Sequence, residues 1–227
     1  MYSKTQLDQS IKITLNAADP DGLVTADTYP AGNIALDGAL TSNGRYANTT
    51  PQFLLITAVA DESGNTFTFT GKDLSGLTYT YSVLGPNATT LVIPVPFSSI
   101  ESNGISISDD ASGDISIGIT TQTATPWCQI DCWRDFFAPG LGAYVETSST
   151  LNYTIQYTFQ NAKSELPTRI YNDPNVASET TTQSTAIPQA YKFARLIINS
   201  YTNGAVWFEI AQPGAMHSNL PAKGKLT

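Results

Sequence analysis

The sequence predicts an all-β protein, made of two antiparallel β-sandwich domains (Ig-like or jelly-roll-like) with long loops and an extended C-terminal tail. Three observations carry this expectation. Apolar and polar residues alternate strictly over many short segments, as half-buried strands require. Gly- and Asn-containing turn signals recur at short intervals, and they interrupt every window in which a helix would fit. The chain has 227 residues, enough for two modest domains that each bury a core.

The alternation is clearest in Ile11-Lys12-Ile13-Thr14-Leu15, in Asn65–Thr70 and in Leu77–Val83. Phe53–Ala60 is more continuously apolar and reads as a central strand. Further strands are expected at Asn33–Leu36, Thr90–Ile93, Ile105–Ser108 and Ile115–Thr120. Between them stand Asp21-Gly22, Asp37-Gly38, Asn43-Gly44, Ser63-Gly64-Asn65, Ser75-Gly76, Gly85-Pro86-Asn87, Asn103-Gly104 and Ser112-Gly113, all read as turns. Pro94 and Pro96 flank Val95 and interrupt pairing, which marks this piece as an edge or a crossover.

Thr120–Pro126 lacks apolar anchors and ends in proline, so it reads as a linker. The expected organisation is an N-terminal sandwich over 1–123 and a linker with an aromatic, Cys-bearing segment over 124–143. A C-terminal sandwich follows over 144–214, and an extended tail over 215–227. In the second half Leu151–Phe159 is a strand, and Tyr191–Ser200 with Ala205–Gln212 reads as a hairpin around Asn203-Gly204. The polar stretch Asn161–Pro188 and the tail beyond Gln212 are expected to be mobile in the free subunit and ordered on assembly.

Charged residues make up only 13% of the chain and the net charge is -8. A surface poor in Lys and Glu is suited to being covered, because interfaces are depleted in both. The negative charge opposes binding to a phosphate backbone or an anionic membrane, so neither nucleic acid nor membrane is an expected partner. Met1–Ser10 is polar and lacks the apolar centre of a signal peptide, so folding in the cytoplasm is expected.

The segments Leu36–Leu40, Leu54–Ala60, Phe67–Asp73, Val83–Asn87, Phe97–Ile100 and Ile115–Ile119 resemble, in this order, a widespread virion protein type of tailed bacteriophages. Leu151–Phe159, Ala194–Ile198 and Val206–Gln212 are similar to its usual second half, so the resemblance spans roughly residues 10 to 214. It implies a multicopy structural protein of the head–tail or neck region, such as a collar or fibre-anchoring adaptor. A capsid decoration protein is the near alternative. The implied partners are copies of itself and portal, adaptor, fibre or capsid proteins, and the implied location is the virion after synthesis in the host cytoplasm. The resemblance carries no catalytic residue.

Chemistry-bearing residues are sparse, and no catalytic, metal or cofactor site is expected. The single histidine, His217, lies in the tail, far from the other groups that a triad or metal site would need. The acidic pairs Asp19/Asp21, Asp61/Glu62 and Asp109/Asp110 read as turn formers rather than as a catalytic pair. Asp19-Pro20-Asp21-Gly22 begins like a calcium loop but lacks the later ligands, so an Asx turn is expected there. Cys128 and Cys132 are read as free thiols, with a local bridge in a bent loop left open.

Tyr79/Tyr81, Tyr153/Tyr157 and Trp207 read as core or cross-strand pairs; a carbohydrate-stacking surface, as in a receptor-binding fibre module, is the competing reading. Trp127, Trp133, Phe136 and Phe137 form the candidate interface anchor. In the tail, Leu220 and Leu226 are candidate apolar contacts, and Lys223 and Lys225 would meet an acidic neighbour.

Overall fold

The computed structural model describes residues 8–13, 15–131, 139–187 and 189–212. Every regular element among them is a β-strand, and every named strand pair is antiparallel. In chain order the strands are β1 (Asp8–Ile13), β2 (Asp19–Asp27), β3 (Gly32–Asn33), β4 (Thr41–Ser42), β5 (Arg45–Ala58), β6 (Thr66–Lys72), β7 (Thr78–Leu84) and β8 (Thr90–Ile107). Then come β9 (Ile115–Ala124), β10 (Cys128–Gln129), β11 (Gly140–Val145), β12 (Thr150–Thr158), β13 (Tyr171–Asn172), β14 (Gln183–Ala186), β15 (Phe193–Asn203) and β16 (Val206–Ala211).

Two sheets contain them all. A 12-stranded sheet runs β13-β12-β15-β9-β5-β8-β6-β7, with β2, β3, β4 and β10 pairing off this path. A 4-stranded sheet has the order β1-β16-β11-β14. Burying the apolar half of the alternating strands produces two hydrophobic clusters. The first holds Leu23, Leu54, Ile56, Phe67, Phe97 and Ile117, from strands β2 to β9. The second takes Leu141, Val206 and Phe208 from the smaller sheet and Tyr153, Ile155 and Leu196 from the larger one.

Phe53–Ala58 is central as expected, because β5 lies between β9 and β8. The Asn43-Gly44 turn also forms, with positive φ at both residues (52° and 69°), the geometry of a two-residue hairpin whose twist matches its strands.

Several expectations are corrected. Thr120–Ala124 is not a linker but the end of β9, largely buried. Its polar groups are consumed inside: the Thr120 hydroxyl donates to the Phe53 carbonyl at 3.1 Å and the Thr123 hydroxyl to the Pro51 carbonyl at 2.5 Å. Thr123 pairs with both Gln52 and Ile198, so β9 carries one sheet from the first core into the second. The first strand also crosses over. β1 pairs with β16 and places Ile13 in the second core, although it was expected within the first unit.

Asn203-Gly204 turns the chain, but the flanking strands do not pair with each other. β15 stays in the large sheet and β16 enters the small one. Asn103-Gly104 is not a turn, and the two short strands expected around it belong to one long strand, β8. Glycine is needed there for close approach: a methyl group at Gly104 would sit 2.5 Å from the Thr70 carbonyl oxygen. Pro94 and Pro96 lie inside β8, an interior strand, at a register shift in its pairing with β5 where missing N–H donors do not break the ladder. Asp21-Gly22, expected as a turn, is part of β2.

The polar stretch 161–187 is held by its own chain. Tyr153 and Glu179 exchange backbone hydrogen bonds of 2.8 Å, Ile155 donates to Val176 at 2.9 Å, and β14 pairs with β11. Val176 and Ile187 anchor it in the second core. Isolated apolar anchors combined with backbone pairing fix a segment that has no apolar periodicity. The tail beyond Gln212 lies outside the described residues.

Candidate functional site

The junction of the two cores forms a small cleft of about 30 Å³. Pro51, Tyr79 and Pro96 come from strands of the first half, Leu77 from the turn before β7, Trp127 from the connecting segment, and Arg195 from β15. Alternation positions Arg195: Ala194, Leu196 and Ile198 point into the second core, so residue 195 takes the opposite face, towards the cleft. Its guanidinium carbon lies 4.3 Å from the centre of the Trp127 ring, and its Nε donates to Gln156 Oε1 at 2.9 Å. Only 5% of Arg195 is exposed, and burial pulls its pKa down to about 10, partly offset by Tyr79. It therefore remains a cation at neutral pH.

Tyr79 stacks on Phe97 with ring centres 4.9 Å apart and donates its hydroxyl to the Pro96 carbonyl. Burial raises its pKa, Asp73 raises it further, and Arg195 opposes both. Tyr79 thus serves as a neutral wall of the cleft rather than as an acid or base. Asp73 itself is engaged in a turn, where one oxygen accepts from the Ser75 amide and hydroxyl and from the Leu77 amide, all within 2.9 Å.

Of the candidate interface residues, the structure places Trp127 in this cleft, half-buried against Arg195. Trp133, Phe136, Phe137, Leu220, Lys223, Lys225 and Leu226 lie outside the described residues, as do Cys132 and His217. Arg195 was missed by the sequence reading. Its signal was a lone charge within the apolar run Phe193–Ile198.

The acidic pairs serve as local ties. Glu62, 1% exposed, accepts from the Ser112 and Gly113 amides at 2.7 and 3.2 Å and from Asn65 Nδ2 at 2.6 Å. Asp61 is held below the usual carboxyl range by hydrogen bonds from Ser63, first its side chain and then its amide, the latter at 2.9 Å. Asp110 accepts from the Ala31 amide at 2.8 Å and Asp109 from the Ser108 hydroxyl at 3.4 Å. Asp19 is pushed up by burial and by its hydrogen bond to Asp21. Among the described residues no three His, Cys, Asp or Glu side chains gather as metal ligands. Cys128 is a buried free thiol whose pKa burial pushes up to about 12, so it stays protonated and unreactive.

Tyr79 and Tyr81 pack against the first core, and Tyr153 and Tyr157 belong to the second. Trp207 instead sits under Lys12, 5.2 Å from its ring centre, and donates to Glu146 at 3.2 Å. A separate aromatic group surfaces at the far end of the large sheet. Tyr171 stacks on Tyr157 at 5.5 Å and meets Phe159 edge-on at 5.6 Å, with Phe159 and Tyr171 exposed. No described helix is long and apolar enough to cross a membrane.

Comparison with known proteins finds no matching family model and no significant relative among curated proteins.

Proposed function

We propose that this chain is a structural component of a tailed-phage virion, a multicopy head–tail or neck protein such as a collar or fibre-anchoring adaptor. The observation that carries the reading is β9, which runs one sheet through two cores. A subunit built this way transmits load through backbone hydrogen bonds rather than through a flexible linker. We read the two cores as two antiparallel sandwiches, Ig-like or jelly-roll-like, fused at this strand. The outer edge of β7 is unpaired among the described strands and offers a place where a neighbouring copy can add a strand. Low surface charge suits such contacts, and the partners are copies of itself and other virion proteins.

Capsid decoration draws on the same features. Carbohydrate binding by a fibre module is favoured by one observation of its own, the exposed Phe159–Tyr171 pair, since sugars stack on such rings. Mass spectrometry of gradient-purified particles from the source phage tests the leading reading. Several copies of the chain per particle are expected; a chain found only in the soluble lysate fraction would contradict it.

A further inference from the structure

The edge of a β-sheet invites a further strand, and proteins block it with short strands, lysine, proline or bulges. Among the described strands, those at sheet edges are blocked in these ways, with one exception. β3, β4, β10 and β13 have two residues each and β14 has four. β1 carries Lys12, and β2 meets β9 with two register shifts. β7 instead pairs with β6 over all 7 of its residues without a shift, and β6 is its sole neighbour among the described strands. Residues 78–84 contain no charge and no proline, and Thr78, Thr80, Ser82 and Leu84 are exposed. With β6 on one side, every second N–H and C=O of β7 turns outward.

Both faces of β7 fit a copy of itself. On the exposed face hydroxyls form a ladder, Thr68 with Ser82 at 3.0 Å and Thr70 with Thr80 at 2.9 Å. On the other, Tyr79, Tyr81 and Val83 pack on the first core yet are only half-buried, so the core is unfinished at this edge. An antiparallel copy must oppose residues of the same face, because a slip of one residue sets hydroxyls against tyrosines. Centring the pair on Tyr81 meets this condition and overlaps all of residues 78–84. Thr80 then faces Ser82 of the second copy and extends the hydroxyl ladder, while Tyr79 faces Val83. Leu84, 59% exposed, comes to the end where Leu74, 42% exposed, sits in the β6–β7 turn. An uncharged strand is also where two chains of net charge -8 meet with little repulsion. We propose that β7 pairs with β7 of a second copy about a two-fold axis at Tyr81, joining the large sheets of two subunits into one. The pairing rests on the self-assembly part of the function proposed above and names its partner and register.

Sedimentation equilibrium of the full chain tests this with two variants on the exposed face, Thr80→Lys/Ser82→Lys and Thr80→Glu/Ser82→Glu. The wild type is expected to form a dimer that dissociates on dilution. Either variant sets like charges directly opposite on both sides of the axis and should weaken the dimer about tenfold or more. An equimolar mixture of the two should restore it, since each lysine then faces a glutamate. Disulfide trapping in a Cys132→Ser background reads the register. Thr78→Cys mixed with Leu84→Cys should link, and neither should link alone, because identical positions stand about 20 Å apart. A wild type that stays monomeric, association that the charged variants leave unchanged, or a mixture that does not re-form dimers overturns the proposal. A cysteine mixture that does not link, or either cysteine variant linking with itself, overturns the register. None of these measurements uses particles, so a failure here is distinct from a failure of the virion reading, which is judged by the copies found per particle.

Discussion

Thr123 donates its hydroxyl to the carbonyl of Pro51 at 2.5 Å, inside the protein, where β9 passes from one core to the other. Thr123→Val keeps the side-chain shape and strands a buried carbonyl, at a cost of about 1–3 kcal/mol. Because the sheet is shared, calorimetry should record a single unfolding transition in the wild type and one at lower temperature in the variant. Two separate wild-type transitions would mean that the cores are independent.

Glu62 fixes the Ser112-Gly113 loop through two backbone amides. Hydrogen bonds to a charged acceptor are stronger than neutral ones, so Glu62→Ala should cost about 2–3 kcal/mol. Glu62→Gln, which keeps a carbonyl acceptor, should cost less. Urea denaturation reads both midpoints, and equal midpoints for alanine and wild type would remove Glu62 from the fold's supports.

Gln52 is fully buried, and neither polar atom of its amide meets a partner among the described residues. An unsatisfied buried amide costs more than an apolar side chain of similar size. Gln52→Met should therefore raise stability by about 1 kcal/mol, measured as a higher urea midpoint with unchanged slope. A lower midpoint would show that the amide is satisfied in solution.

Glu146 is held below the ordinary glutamate value by hydrogen bonds from Lys12 and Trp207. A carboxyl whose folded pKa is depressed supports the fold above its unfolded pKa, and that support fades as pH falls through the folded value. The pair ties β1 to the small sheet, so acid should loosen β1 first. An NMR titration of the Trp207 indole should show a midpoint below 4.5, the ordinary value, moving upward in Lys12→Met. A midpoint at 4.5 in both proteins would contradict the tie.

The strands were legible where one face meets the core and the other meets water. Thr66–Lys72 and Thr78–Leu84 show this alternation plainly, with buried or half-buried positions at every second residue. The reading failed where polar residues are buried and satisfied by backbone. Thr120 and Thr123 looked like linker residues because composition does not reveal that a neighbouring strand takes their hydroxyls. It also failed where glycine answers a close approach rather than a turn, as at Gly104. Pairing partners were beyond local pattern: nothing near Asn203-Gly204 shows that the two strands enter different sheets. Of the candidate site, Trp127 was visible as an aromatic, while Arg195 was hidden inside an apolar strand.

The most direct test of the structural role is cryo-imaging of purified particles that carry a compact label inserted in the Asn43-Gly44 turn, an exposed hairpin tip. The account predicts discrete label density at one vertex, in the ring between head and tail. Density spread over the whole shell would contradict the head–tail assignment in favour of decoration, and particles without label would contradict a virion role altogether.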